Sequence, residues 1–387
     1  MSDSRLYKIV FCTPALYSAG GVERVVSIKA NYFAEHFGYE VTIIVTEGKD
    51  FPPFFPISEK VQVINLGINF EQLWHTSLVR KIILYLKKQR LYKKQLRDEL
   101  LRIRPDVTIS TLRREINFLT KVNDGSVKIG ELHLNRDSYR VIDYGKSWFI
   151  PRLFTKWWKK ELISHLSHLD KFIVLTELST KEWPELDNVV MIPDPLPIHT
   201  CSASLLNTKR VVTIGRYSYE KGYDLLLRAW AIVEKQVPDW HLDIYGMGYA
   251  DPYRVIASDI GLDMERCHIM GSVDDVQNIY QNSSIFVLSS RFEGFGLVLL
   301  EAMANGVPVV SFACPNGPLE LISDGVNGLL ALPKDIDSLA EKLVLLINNS
   351  DLRQKLAING LQKSRMYSID VIANRWKLLF DELMQGR

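Results

Sequence analysis

Cysteine is scarce: four residues in 387, Cys12, Cys201, Cys267 and Cys314, with no Cys-x-x-Cys pair. That spacing excludes a zinc ribbon and a disulfide framework, and it fits a reducing cytosol. Long apolar runs are missing as well, so the chain offers no candidate transmembrane helix and any membrane contact is expected to be peripheral. The apolar start at Lys8–Phe11 is too short for a secretory signal and is interrupted by Pro14 and Tyr17, so it reads as a first strand. Net charge is only +2, which argues against a dedicated nucleic-acid binder. With 47% hydrophobic and 24% charged residues, the composition is that of a globular protein, and the length suits two domains.

Short apolar, β-rich runs alternate with helix-length segments, which is the pattern of βαβ units in a parallel sheet. The first series places strands at Leu6–Thr13, Val41–Thr46, Val61–Leu66, Val107–Ser110, Lys128–Leu132 and Lys171–Leu175, with a helix over Val25–Phe37. Ile192-Pro193-Asp194-Pro195-Leu196-Pro197 then reads as a joint, because three prolines in five residues stop regular structure. The series restarts with strands at Val211–Gly215, Leu242–Tyr245, Cys267–Met270, Ile285–Leu288 and Val307–Ser311, and a helix over Gly222–Lys235. The fold class expected is α/β, with two doubly wound domains facing a cleft and ligands at the carboxyl ends of the strands. Residues 1–195 together with 370–387 form the first domain, the last amphipathic helix (Ile369–Met384) returning to it, and residues 196–369 form the second.

Charge is unevenly shared. Residues 1–200 carry 29 Lys and Arg against 23 Asp and Glu, and residues 201–387 carry 18 against 22. Arg80–Arg104 holds ten cations and only Asp98 and Glu99 as acids, and Tyr144–Lys160 sets Trp148, Phe149, Phe154, Trp157 and Trp158 among five cations. Such segments are either solvated faces and core packing or a surface for anionic lipid, to which each basic residue adds about 1 kcal/mol.

The chemistry concentrates in two stretches. Glu293-Gly294-Phe295-Gly296-Leu297 follows the strand Ile285–Leu288 and opens a helix, whose N-terminal N–H groups and dipole favour a phosphate. Glu301 lies eight residues after Glu293, inside that helix, so the two carboxylates can hold the diols of a sugar and a ribose. Gly215-Arg216-Tyr217-Ser218-Tyr219-Glu220-Lys221-Gly222 ends the strand Val211–Gly215 and brings two cations to neutralise a diphosphate without a metal. Taken singly, Glu301, Arg216 and Lys221 read as surface residues; their joint placement beside glycine turns is what points to a site.

Gly-Arg-x4-Lys-Gly, Glu-Gly-Phe-Gly-x4-Glu-Ala and Cys314-Pro315-Asn316-Gly317-Pro318-Leu319-Glu320 through Leu330 resemble the second domain of glycosyltransferase family 4, retaining enzymes of the two-Rossmann GT-B architecture. Gly20-Gly21-Val22-Glu23-Arg24 extends the resemblance to the first domain. The resemblance implies that Glu293 contacts the donor sugar hydroxyls, Glu301 the nucleotide ribose, and Arg216 and Lys221 the diphosphate. Backbone N–H groups of Phe295, Gly296 and Leu297 would reach sugar or phosphate, Gly294 would permit close backbone approach to the donor, and Gly21 would approach the donor from the first domain. The base would lie near Gly246 and the Gly271-Ser272-Val273-Asp274 turn, so Val273 is a binding candidate. His133, in Glu131-Leu132-His133, is the candidate for contacting the donor sugar.

The implied activity is retaining transfer of a hexosyl unit from a nucleotide sugar, with no metal and no cofactor. UDP-galactose, UDP-GalNAc or UDP-glucose is the expected donor, and a saccharide on a polyprenyl diphosphate the expected acceptor, in surface polysaccharide, lipopolysaccharide or O-antigen assembly. The setting expected is the cytoplasm, with peripheral contact at the anionic inner membrane face and no nucleic acid. Other readings are a GDP-mannose-dependent mannosyltransferase, a UDP-sugar 2-epimerase of the same architecture, and a non-catalytic nucleotide-sugar sensor.

Overall fold

The computed structural model describes residues 6–75, 77–136, 139, 152–197, 203–273 and 275–385, without the side chains of 74, 75, 78 and 152–159. The chain divides into two compact units, Met1–Pro195 with Ile369–Arg387, and Leu196–Ser368.

In the first unit seven strands form a parallel sheet: β1 (Lys8–Thr13), β2 (Glu40–Val45), β3 (Val61–Asn65), β4 (Val107–Ser110), β5 (Val127–Leu132), β6 (Lys171–Val174) and β7 (Val189–Met191), in the order β3-β2-β1-β4-β5-β6-β7. The edge strand β7 goes beyond the strands read from sequence, being too short to show alternation. Sheet alternation sorts β1 cleanly. Ile9 and Phe11 point into a core with helix α1 (Gly21–His36), whereas Val10 and Cys12 point to the opposite face with Tyr92, Leu96 and Leu100 of α2 (Leu78–Ile103). With both faces covered, β1 is apolar without a break from Ile9 to Cys12 rather than half polar. α2 contains neither Gly nor Pro and is rich in Leu, Lys, Arg and Gln, all good helix formers. It stops at Arg104, which turns left-handed (φ 50°) and returns its N–H to the Leu100 carbonyl, one residue before Pro105.

The helices α3 (Arg152–Ser167) and α4 (Glu177–Lys181) lie between β5 and the joint. The aromatic and basic residues of Tyr144–Lys159 lie outside the described residues and side chains. The last helix, Ile369–Gln385, groups with this unit and buries Ile372, Ala373, Trp376, Leu379 and Phe380 on one stripe beside Phe33. Tyr7 and Tyr32 donate to Asp381 and Asp370 at 2.6 Å and tie the helix to β1 and α1.

The second unit repeats the plan with six parallel strands: β8 (Arg210–Ile214), β9 (His241–Tyr245), β10 (Cys267–Met270), β11 (Ile285–Leu288), β12 (Val309–Phe312) and β13 (Leu329–Ala331), ordered β10-β9-β8-β11-β12-β13. Its helices are α5 (Tyr223–Val233), α6 (Asp251–Asp259), α7 (Val276–Gln281), α8 (Leu297–Ala304), α9 (Gly317–Leu321), α10 (Ile336–Asn348) and α11 (Ser350–Arg365), so the final helix Ile369–Gln385 is α12. Strand order reverses between β8 and β11, and both candidate stretches start at the carboxyl ends of those two neighbours. Among the described residues no helix is long and apolar enough to cross a membrane.

Candidate active site

The loop after β8 and the loop after β11 are laced together. Arg291 donates its backbone N–H to the Glu220 carbonyl at 2.7 Å, and Ser289 donates its hydroxyl to the Lys221 carbonyl at 2.8 Å. The Arg291 guanidinium forks onto Asp224 at 2.9 and 2.6 Å and lies over the Tyr219 ring. Burial pushes the Asp224 carboxyl up, but the Arg291 bonds outweigh it and hold the group below its usual range. Sequence reasoning passed over Arg291 and Asp224, because a pair 67 residues apart leaves no local signal.

This lacing sets Lys221 against Glu293. The ammonium donates to both carboxylate oxygens, at 3.1 and 3.0 Å, with each side chain about one-sixth exposed. Glu293 is itself clamped: its N–H donates to the Pro315 carbonyl at 3.0 Å, and its carbonyl accepts from Asn316 N–H at 2.8 Å. The half-buried pair thus presents a cation and an anion to solvent with their backbones fixed. Arg216, two residues past β8, is exposed. Gly215 allows the Lys221 chain to cross it, since a Cβ there would lie 3.2 Å from Lys221 Cε.

Gly296 sits at the N-cap of α8 with φ 89° and no side-chain cap; Leu299 N–H returns to the Gly296 carbonyl at 2.9 Å, and no capping side chain covers the N–H groups of Leu297 and Val298. Phe295 contributes its backbone there, since its ring is buried against Tyr367. Leu297 and Val298 open the helix. Glu301, by contrast, is only 3% exposed, and its Oε2 accepts a 3.0 Å hydrogen bond from Tyr280 of α7. Its orientation is therefore set by a partner that the motif does not contain. Gly246 follows β9 and meets the Gly215 carbonyl so closely that a Cβ would lie 2.2 Å from it, a packing reason for glycine at that position. Val273 is exposed, and Asp274 lies outside the described residues. Asp335-Ile336-Asp337 has Asp-x-Asp spacing, but Asp335 caps α10, accepting from Ser338 N–H.

The other two candidates belong to the first unit. Gly21 is exposed at the first position of α1, after Gly20. His133 lies one residue beyond β5, and its side chain is 6% exposed. Nδ1 is 3.3 Å from Asp194 Oδ2 and Nε2 is 3.6 Å from Glu131 Oε2, while the buried Lys29 of α1 pairs with the other Glu131 oxygen. Burial opposes a charge on His133, but Asp194 and then Glu131 outweigh it and lift its pKa from 6.5 to about 9. Burial likewise pushes Glu131 up, and Lys29 and His133 overcome it, holding the carboxylate ionised. Ligand atoms of Glu131, His133 and Asp194 fall within 4.8 Å of one another, a spacing that a metal could bridge. Two carboxylates are already balanced by Lys29 and a protonated His133, so the cluster reaches neutrality without a metal.

Residues 202–363 match the family Glycosyl transferases group 1. An uncharacterized glycosyltransferase of Haemophilus influenzae is 29% identical over 378 residues, 96% of this chain and 99% of that protein. The GalNAc-alpha-(1->4)-GalNAc-alpha-(1->3)-diNAcBac-PP-undecaprenol alpha-1,4-N-acetyl-D-galactosaminyltransferase of Campylobacter jejuni is 28% identical over 388 residues, 98% of this chain and 99% of that protein. Among solved structures, a mutant of S. aureus TarM in complex with fondaparinux, alpha-GlcNAc-glycerol and UDP aligns with a TM-score of 0.77 at 17% identity, covering 97% of this chain and 100% of that one. The fold is GT-B, the similarity to glycosyl transferases group 1 lies within the second unit, and glycosyl transfer is the activity that the relatives support.

Proposed function

We propose that the protein is a retaining hexosyltransferase that moves a sugar from UDP-galactose, UDP-GalNAc or UDP-glucose to a saccharide on a polyprenyl diphosphate, in surface polysaccharide or O-antigen assembly. The observation that carries the reading is the Lys221–Glu293 pair held beside the uncapped N-terminus of α8, at the switch point of the second sheet. A cation and helix N–H groups suit a diphosphate, and a carboxylate beside them suits sugar hydroxyls. The Campylobacter relative, named for an undecaprenol-linked acceptor, supports the acceptor class.

In this reading, donor binding shares Lys221 between Glu293 and the diphosphate, and Arg216 adds the second cation. Charge that develops on the leaving oxygen as the anomeric C–O bond breaks is stabilised by these groups and by the α8 N–H groups, with no essential divalent metal. The acceptor hydroxyl attacks on the same face, and the leaving oxygen takes its proton. Glu301, oriented by Tyr280, holds the ribose; Gly21 and His133 contact the donor sugar. The enzyme works at the cytoplasmic face of an anionic membrane.

Calorimetric titration with UDP and then GDP, both in EDTA, tests the reading. Preferential UDP binding is expected. Preferential GDP binding would replace it by a GDP-mannose-dependent mannosyltransferase, and loss of nucleotide binding in EDTA would overturn metal independence.

A further inference from the structure

We propose that one exposed ridge of α2 docks the protein in the plane of an anionic lipid surface. Val79, Ile82, Ile83 and Leu86 follow the i, i+3, i+4, i+7 spacing of a stripe that normally faces a core. Here these side chains are 70%, 53%, 51% and 51% exposed. The same ridge continues along the helix as exposed Arg90, Lys93, Lys94 and Arg97, and exposed Arg80, Lys81 and Lys87 flank it. No acid interrupts the helix before Asp98. From Val79 to Arg97 the ridge is about 27 Å long, at 1.5 Å per residue.

The opposite side of α2 fixes which ridge faces outward. Tyr92, Leu96 and Leu100 are buried in the first unit's core, Lys88 Nζ donates to the Asn69 carbonyl at 2.9 Å, and Gln89 donates to the Arg114 carbonyl at 2.9 Å. The helix cannot roll to hide its apolar stripe without breaking these contacts.

Charge decides the occupant. A second copy meeting this ridge across a two-fold axis would set its basic turns against cations if the helices ran parallel and against apolar turns if antiparallel, and neither supplies an anion. An anionic bilayer offers both things the ridge lacks, acyl chains for the apolar turns and phosphates for the basic ones. The inference deepens the membrane contact of the proposed function, but lipid binding is measured without any sugar transfer, so the two fail separately.

The test is flotation of the full chain with phosphatidylcholine vesicles, with and without phosphatidylglycerol. Wild type is expected to float only with the anionic vesicles. The variant Lys93→Gln/Lys94→Gln/Arg97→Gln should lose on the order of 100-fold in partitioning, from roughly fivefold per charge. Ile82→Ser/Ile83→Ser, which removes apolar groups already exposed, should lose about tenfold or more while the charge remains. Both variants should melt and bind UDP as wild type does. Flotation equal on neutral and anionic vesicles, or unchanged by both variants, would overturn the proposal. So would a lipid-free dimer that either variant dissociates, which would make the ridge an interface between copies.

Discussion

Replacing Asp194 with Asn keeps the shape beside His133 and removes one of the two negative charges that hold it protonated. In the folded protein the His133 pKa lies at about 9, against 6.5 for an unperturbed histidine. The difference, at 1.36 kcal/mol per unit, corresponds to about 3 kcal/mol of linked stability. Because the folded value is the raised one, this stability is fully present below pH 6.5, declines as the pH climbs from 6.5 to 9, and is gone above. Glu131 does not blur the window, since its depressed pKa keeps it ionised throughout.

Wild type should therefore lose thermal stability from pH 6.5 to 9, and Asp194→Asn should flatten that decline, being most destabilised relative to wild type at pH 6. NMR of the imidazole protons, with the His133 resonance assigned from its disappearance in His133→Gln, reads the same event directly. The wild-type resonance should titrate near 9 and that of the Asn variant well below. A wild-type His133 titrating at or below 6.5, or equal pH slopes for the two proteins, would refute the clamp.

Other perturbations address the second unit and the last helix. Glu301→Ala should weaken UDP binding by calorimetry, and Tyr280→Phe, losing one hydrogen bond worth roughly 0.5–1.5 kcal/mol, should weaken it about two- to tenfold; wild-type affinity in Glu301→Ala would remove the ribose assignment. Glu293→Ala should chiefly lower the transfer rate while UDP still binds, and a variant that transfers at wild-type rate would exclude Glu293 from the sugar site. Gly296→Ala puts a side chain at φ 89°, with its Cβ 3.3 Å from Leu299 Cδ1, and should destabilise by about 1–2 kcal/mol in denaturant melts. Trp376→Ala, at a fully buried position of α12, should cost about 3–5 kcal/mol, and an unchanged melting temperature would contradict the packing of that helix.

Much of this architecture can be read from the chain alone. Apolar runs such as Ile285–Leu288 announce parallel strands because both their faces are covered, and Gly215 and Gly294-Phe295-Gly296 mark where strands give way to loops. Local chemistry supplied Arg216, Lys221, Glu293 and Glu301 for the same reason, since glycine turns, a helix start and two carboxylates eight residues apart are neighbours in sequence, whereas Gly21, Gly246, Val273 and His133 were candidates only through the family resemblance. β7 and β13, three residues each, stayed illegible because a short strand takes its conformation from the sheet it joins. The pairings behind the candidate site were equally hidden. Lys221 meets Glu293 from 72 residues away, Arg291 meets Asp224 from 67, and Lys29 meets Glu131 from 102, distances that only strand order closes. The α2 stripe shows the division most plainly. Val79, Ile82, Ile83 and Leu86 carry the periodicity of a buried face, and periodicity reports only that apolar groups share one side of a helix. Whether that side is covered depends on where the rest of the chain packs, and here the fold covers the other one.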